Sequence, residues 1–230
     1  TANSTFNNIS WTEPYPYGEE LPNNRYDEKR GANGKVTGAN MTGNVLLLHM
    51  NNDTIDYSGL GNDGTNNATN RPTCNTTMTT GVFLGSCEFD GVGTIINISN
   101  ITNPSSLRLG NNFTIELWMK SNGSANTHQA LLDISSEQAD SKLVLYNKQG
   151  SLCQEGPHVY IDDASAGGSL HHCFDNNVTI NDNVWHYITI TKSSNTLTAY
   201  VDGVARQSQT DTGVLGSSPI SIGRQRGTAN

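Results

Sequence analysis

Apolar and polar residues alternate in short runs along most of the chain, and clusters of Gly, Asn and Asp separate the runs. A period of two is typical of half-buried β-strands, and long helical patterns are absent. The sequence therefore predicts an all-β sandwich or jelly roll. The predicted strands are residues 44–50, 86–90, 94–98, 113–120, 130–134, 142–146, 158–162, 185–191, 196–201 and 219–222.

Two of these strands have clear faces. In residues 113–120, one face carries the apolar side chains Phe113, Ile115, Leu117 and Met119, and the other carries Thr114, Glu116, Trp118 and Lys120. In residues 196–201, the shared apolar face consists of Leu197, Ala199 and Val201. The dipeptide Asp202-Gly203 then predicts a tight hairpin into residues 204–207.

The first forty residues differ from the rest of the chain. Residues 6–11 have strand character, residues 13–18 are rich in Pro and turn formers, and residues 25–38 are charged and contain Gly. Such a composition favours a strand followed by an extended linker. We therefore expect an N-terminal arm over residues 1–40 and a jelly-roll domain over residues 41–230.

The charge composition of the chain limits the classes of partner that it can bind. Charged residues make up 15% of the chain, and the net charge is -8, which disfavours nucleic acid and anionic membranes as partners. The longest apolar run is residues 45–48, far short of the roughly 20 residues that span a bilayer, so we expect no membrane insertion.

The chain contains eleven Asn-x-Ser/Thr triplets, the acceptor signature for N-glycosylation of surface Asn residues. Composition alone would produce roughly six of them. The predicted glycosylation sites are Asn3, Asn8, Asn40, Asn52, Asn67, Asn75, Asn97, Asn100, Asn112, Asn122 and Asn177. We therefore expect covalent N-glycans and an extracellular or cell-surface location.

The even number of cysteines fits disulfides in an oxidising compartment. The four are Cys74, Cys87, Cys153 and Cys173. Three pairings are open, and we favour Cys74–Cys87 with Cys153–Cys173 because each closes a short loop, worth about 3 kcal/mol in the chain-entropy model. A zinc site built from His171, His172 and Cys173 is the alternative, but adjacent residues on a strand point to opposite faces.

Four stretches carry a family resemblance. Residues 56–64 read D-Y-S-G-L-G-N-D-G, residues 89–91 read F-D-G, residues 113–118 read F-T-I-E-L-W, and W-H-Y-I at 185–188 is followed by a hairpin at 197–203. In order and spacing these stretches resemble the concanavalin A-like lectin/glucanase superfamily, in its laminin G-like branch. The resemblance implies an all-β concanavalin A-like jelly-roll sandwich with an extended N-terminal arm. The arm itself resembles the linkers of tandem archaeal surface proteins.

One departure from the family concerns its final strand, since the chain ends at residue 230 without it. Residues 1–3 repeat residues 228–230, and residues 5–11 resemble the missing strand in their Phe and Ile spacing. Two interpretations follow: the chain is one unit of a tandem array, or residues 6–11 of one subunit complete the sheet of the next, which builds a head-to-tail filament. The alternative is a truncated tail and a coincidental repeat.

The chain contains candidate metal ligands but lacks the carboxylate pattern of a glucanase. Glucanases of this superfamily place three carboxylates on one strand, and no such pattern occurs, so we expect no enzyme activity. We expect no required cofactor. The turn residues Asp56, Asn62 and Asp63 are candidate ligands for a structural calcium ion, and the alternative that we favour is a turn in which they cap backbone groups.

These observations favour a non-enzymatic, glycosylated extracellular structural subunit with identical subunits as partners. The expected subunit interface is formed by the arm residues Phe6, Ile9, Trp11, Tyr15 and Tyr17. The alternative function is a carbohydrate-binding or adhesion module that uses the concave sheet. The aromatic residues available to such a site are Trp118, Trp185, Tyr187 and Tyr200, which we expect in the core.

Overall fold

The computed structural model describes residues 43–65, 70–75, 81–82, 85–91, 93–98, 107–122, 129–134, 141–148, 157–163, 168–174, 177–217 and 219–223. These residues form fifteen strands, numbered in chain order. They are β1 Gly64–Thr65, β2 Thr73–Asn75, β3 Ser86–Glu88, β4 Ile96–Ile98, β5 Arg108–Gly110, β6 Phe113–Lys120, β7 Gln129–Ile134, β8 Ser141–Lys148, β9 His158–Asp163, β10 Gly168–Cys173, β11 Trp185–Ser193, β12 Thr196–Val201, β13 Val204–Thr210, β14 Leu215–Ser217 and β15 Ile220–Ile222.

The strands form two main antiparallel sheets. The larger sheet has seven strands in the order β1-β4-β15-β7-β8-β9-β10, and the smaller has four in the order β13-β12-β11-β6. Two further pairs, β14-β5 and β2-β3, stand beside them. The order is not sequential, because β15, near the C-terminal end of the described chain, inserts between β4 and β7.

Alternate residues from both sheets meet in one hydrophobic core. The seven-stranded sheet contributes among others Leu143, Leu145 and Ile161, and the four-stranded sheet contributes Ile188 and Ile190, all at most 1% exposed. Burying such side chains stabilises a fold by roughly 1.5–3 kcal/mol each. The predicted fold class, an all-β sandwich, is confirmed.

Most predicted strands are present within one to three residues of their predicted ends. The predicted apolar face of β6 is confirmed, since Phe113 and Met119 are buried and the intervening apolar residues pack against the core. The predicted strand at residues 44–50 is wrong: this segment makes only an isolated bridge between Leu48 and Asp56. The sequence analysis also missed the short strands β1, β2, β5 and β14 and the longer β10.

The hairpin between β12 and β13 forms as predicted. Asp202 and Gly203 both have positive φ, 53° and 76°, which is the conformation of a two-residue turn. The carboxylate of Asp202 accepts hydrogen bonds from the backbone N–H of Tyr187 (2.9 Å) and from Nδ1 of His186 (2.8 Å). The other ring nitrogen of His186 lies 3.1 Å from Asp182. His186 therefore ties this turn to the start of β11.

The turn at residues 56–63 is organised by one buried carboxylate. Oδ1 of Asp56 accepts from the backbone N–H of Leu47 (3.0 Å) and Ser58 (2.9 Å). Oδ2 accepts from the Ser58 hydroxyl (2.8 Å) and the Asn62 N–H (2.8 Å). Asp56 is 7% exposed, so these bonds form in a low-dielectric environment. This carboxylate holds residues 45–48 against the turn.

In the part of the chain that the structure describes, no helix is long and apolar enough to span a membrane.

Replacing Asp56 by Ala should destabilise the protein by about 2–5 kcal/mol, because buried N–H donors lose their acceptor. Denaturant unfolding measures this change. Asp53→Ala is the matched control, since its carboxylate serves the more exposed Ile55 N–H and Tyr57 hydroxyl and should cost about 1 kcal/mol or less. Wild-type stability should be equal in calcium and in EDTA. A calcium-dependent rise in Tm that Asp56→Ala abolishes would contradict the structural role of this carboxylate.

The His186 network should make stability depend on pH. Burial lowers the pKa of His186, but the bonds to Asp202 and Asp182 outweigh burial and raise it above 6.5. The network therefore contributes fully below about pH 6.5 and its contribution is lost as pH rises through the raised pKa. At pH 5.5 the Tm of wild type should exceed that of His186→Gln by at most about 3 °C, and by pH 9 this difference should have disappeared. A gap that grows with pH would show the opposite linkage.

Candidate functional site

The outward face of the seven-stranded sheet carries a group of aromatic and imidazole side chains. Along β8, Leu143 and Leu145 enter the core, so the alternate residue Tyr146 points outward. Along β9, Val159 and Ile161 enter the core, and His158 and Tyr160 take the outward positions. On β10, His171 lies directly opposite Tyr160. We call Tyr146, His158, Tyr160 and His171 the ring cluster.

The rings of this cluster pack against one another. Tyr146 and His158 are stacked with centroids 5.3 Å apart, and His158 and His171 are stacked at 5.4 Å. Tyr160 tilts against His171 at 4.7 Å. Nδ1 of His171 lies 3.3 Å from Nε2 of His158, within hydrogen-bond reach. The rings therefore form one continuous packed group across β8, β9 and β10, of which only Tyr160 and His171 are accessible.

A carboxylate lies beside the ring cluster. Asp133 on β7 faces outward. Its cross-strand neighbours are Ser221 on β15 and Val144 on β8, and Tyr160 on β9 lies opposite Val144. Burial raises the pKa of the Tyr146 hydroxyl well above 10, with further contributions from Asp133 and Tyr160. Tyr146 therefore keeps its proton at any physiological pH and remains a hydrogen-bond donor.

Exposure increases across this face. Asp133, Ser221 and His158 have no exposed surface and Tyr146 has 3%, although all four stand on the outward side of a sheet. Tyr160 is half-buried and His171 is exposed. The face is therefore closed over Asp133 and open at Tyr160 and His171. The accessible part offers ring faces together with hydrogen-bonding groups, which suits a polar ligand that has apolar faces of its own.

The aromatic residues that the sequence analysis named lie elsewhere. Trp118, Tyr187 and Tyr200 are half-buried on the outward side of the four-stranded sheet, with the Trp118 and Tyr187 rings 5.1 Å apart. The expectation that they fill the core is wrong, because the alternate positions Ile188, Ile190 and Val201 occupy it. Trp185 is half-buried at the start of β11.

The cysteines agree with the favoured pairing as far as they are described. Cys74 and Cys87 form a disulfide between directly opposed positions of β2 and β3. Cys173 is also disulfide-bonded, and its predicted partner Cys153 lies outside the described residues. His171 joins the ring cluster whereas His172 enters the sandwich, so the zinc alternative is wrong because its ligands diverge.

Asp56, Asn62 and Asp63 are engaged with protein groups, as expected for the favoured turn interpretation, and the calcium alternative stays a prediction. Both oxygens of Asp56 are committed to protein donors. Asp63 accepts from the Asp56 N–H, and the Asn62 amide donates to the carbonyl of Val45. Among the described residues, no group of three or more His, Cys, Asp and Glu side chains could hold a metal. These three residues stabilise a turn.

The predicted glycosylation sites that the structure describes are accessible to different degrees. The exposed sites are Asn52, Asn75, Asn112, Asn122 and Asn177. Asn97 is half-buried within β4. Asn3, Asn8, Asn40, Asn67 and Asn100 lie outside the described residues, as do the predicted interface residues Phe6, Ile9, Trp11, Tyr15 and Tyr17. Glycosylation and strand donation therefore remain predictions.

The sequence analysis did not identify the ring cluster or Asp133. The available signal was the alternation in two predicted strands, which places Val144 with Tyr146, and His158 with Tyr160. That pattern shows which residues share a face but not that the two faces adjoin. Their adjacency depends on the pairing of β8 with β9 and of β9 with β10.

Comparisons with known proteins address the fold. A family model for laminin G-like domains, Laminin_G_3, described as the concanavalin A-like lectin/glucanases superfamily, matches residues 94–230. The chain is similar to domain 4 of AbnA, a GH43 extracellular arabinanase from Geobacillus stearothermophilus, in complex with arabinotriose. The TM-score is 0.59 at 16% identity, covering 76% of this chain and 80% of that one. No curated protein matches the chain.

Two other solved structures share part of the fold at lower similarity. The CBM40 of a Ruminococcus gnavus sialidase, bound to alpha2,3 sialyllactose, has a TM-score of 0.43 at 11% identity, covering 56% of this chain and 72% of that one. Mouse laminin alpha1 domains LG4-5 have a TM-score of 0.40 at 17% identity, and the match covers 54% of this chain and 30% of that one. Because the family model matches more than half of the chain, this protein belongs to the concanavalin A-like lectin/glucanases superfamily and contains a laminin G-like domain.

Proposed function

We propose that this chain is a carbohydrate-binding module and that its site is the open edge of the ring cluster. The observation that carries the proposal is the accessible pair of rings at Tyr160 and His171, whose centroids lie 4.7 Å apart on neighbouring strands. Sugar rings present C–H faces that pack on aromatic rings and hydroxyls that bond to phenols and imidazoles. Both kinds of group meet here.

The expected ligand is a neutral oligosaccharide. The net charge of -8 disfavours uronic or sialic acids, whose carboxylates would be repelled by the protein as a whole. A sugar hydroxyl, by contrast, donates readily to an imidazole nitrogen such as those of the exposed His171. The similar arabinanase domain was solved with arabinotriose, which makes neutral arabino-oligosaccharides the first ligands to test.

The proposal includes a non-enzymatic role and an extracellular location. Binding requires only the groups described, and the Cys74–Cys87 disulfide suits an oxidising compartment. Covalent N-glycans on the exposed sequons fit the same location. Head-to-tail assembly through the N-terminal arm remains a prediction, because the residues that it requires lie outside those described.

Tyr160→Ala should weaken binding of a neutral oligosaccharide. Loss of one aromatic contact, worth about 0.5–1.5 kcal/mol, should raise Kd roughly 2- to 13-fold. A glycan array would first select the ligand, and calorimetric titration would then compare Kd values for folded variants. Adding His171→Ala should weaken binding further.

Tyr200→Ala is the matched control, since Tyr200 is also a half-buried tyrosine but stands on the outward side of the four-stranded sheet. Its Kd should equal that of wild type. If Tyr200→Ala or Trp118→Ala weakens binding while Tyr160→Ala does not, the site lies on the opposite face. If wild type binds no glycan on the array, the module is not a lectin.

A further inference from the structure

A lysine, an aspartate and a histidine meet inside the sandwich, apart from the ring cluster. Lys192 is on β11, Asp211 follows β13, and His172 comes from β10 of the other sheet. They are 2%, 0% and 4% exposed, respectively. Lys192 occupies the inward position after Ile188 and Ile190, where the alternation of the strand calls for an apolar residue. A lysine at such a position requires a specific partner.

Both carboxyl oxygens of Asp211 have hydrogen-bonding partners. The Nζ of Lys192 contacts Oδ1 of Asp211 and the carbonyl oxygen of Gly213. The backbone N–H of Gly213 donates to the same Oδ1 at 3.0 Å. Nε2 of His172 lies 2.8 Å from the other oxygen, Oδ2. An amine, a carboxyl group, a backbone donor and an imidazole are thus held together without exposure to solvent.

The orientation of His172 is set by a further side chain. The amide nitrogen of Gln209 donates to the carbonyl of Cys173 at 2.7 Å, so its Oε1 is left to accept from Nδ1 of His172 at 2.9 Å. Nδ1 therefore carries a proton, and Nε2 faces Asp211. Burial lowers the pKa of His172, but the bonds to Asp211 and Gln209 outweigh it and raise the pKa. Nε2 is placed to exchange a proton with Oδ2.

We propose that Lys192 and Asp211 condense to an intramolecular isopeptide bond. Separate ions in a site without solvent are unfavourable relative to the same groups in water. Condensation replaces both charges by a neutral amide and releases water to the solvent. The arrangement supplies a nucleophile, an electrophile and proton-transfer groups at one place, as covalent catalysis requires.

The reaction balances without any co-reactant. One proton passes from the ammonium of Lys192 to Oδ2 of the Asp211 carboxylate, and the neutral Nζ then attacks Cγ of Asp211. The Gly213 N–H stabilises the negative charge that develops on Oδ1. His172 relays a second proton from the attacking nitrogen to Oδ2, the Cγ–Oδ2 bond breaks, and water leaves. The product is one amide N–H between the two side chains, and no atom is oxidised or reduced.

The link would fasten β11 to the segment after β13, nineteen residues further along the chain. It would also cross the position where His172 connects the two sheets. A covalent closure at this point resists unfolding and proteolysis, as a disulfide does, but survives reducing agents. This property suits an extracellular module and does not depend on the proposed sugar site.

The test is the mass of the full-length chain after reduction and removal of N-glycans. The expected mass is that of the sequence, with each deglycosylated Asn counted as Asp, less one water molecule. Fragmentation of a proteolytic digest should show a branched peptide that joins Lys192 to Asp211. Lys192→Met should have the full mass of its own sequence. Lys120 is exposed, and Lys120→Arg should still lack one water molecule relative to its own sequence. A main species of wild type at full sequence mass overturns the proposal, and the three residues are then a buried ion network only.

Cyclisation at Asp202-Gly203 also loses water and must be distinguished. Such a succinimide reacts with hydroxylamine, whereas an isopeptide bond persists, and the fragment masses differ. A loss of water that maps to Asp202 overturns the proposal. His172→Gln adds a second readout: it should leave a substantial unlinked fraction that closes slowly on incubation. Complete and rapid linkage in this variant would remove His172 from the mechanism.

Discussion

The burial of one face of each sheet against the other is the constraint on which the rest of this structure depends. Because side chains alternate along a strand, every inward residue such as Leu145 or Ile188 leaves an outward neighbour whose chemistry is free to vary. The core is formed mainly by aliphatic residues, together with Phe113, Phe174 and Met119, and has little or no exposure. The side chains that differ between this chain and other β-sandwich proteins are therefore expected mainly on the two outward faces.

Those two faces differ in ways that matter for function. The seven-stranded face gathers stacked rings around Tyr146 and closes over the carboxylate of Asp133. The four-stranded face presents half-buried aromatics such as Trp118 among threonines. Family membership alone does not choose between the faces, because a shared fold hosts many functions. The proposed site is placed on the larger sheet because its accessible rings, Tyr160 and His171, continue into the stacked rings beneath them.

Polar groups enter the interior where hydrogen bonds compensate for the loss of water. Asp56 is surrounded by backbone and hydroxyl donors, and it orders a segment that contains no regular strand. Asp211 is held between Lys192 and His172. An unpaired group in either position would be strongly destabilising. These carboxylates therefore determine local geometry at places where apolar packing does not.

The sequence by itself determined the fold class, the faces of β6 and β12 and the Asp202-Gly203 hairpin, because alternation and turn chemistry are local properties. It wrongly predicted a strand at residues 44–50, where the apolar run is instead held by Asp56. Only the tertiary structure brought Tyr146, His158 and His171 together, and likewise Lys192, Asp211 and His172. Outside tight hairpins such as the one at Asp202-Gly203, strand pairing and sheet packing join residues that are distant in the chain, and local patterns do not encode those neighbours.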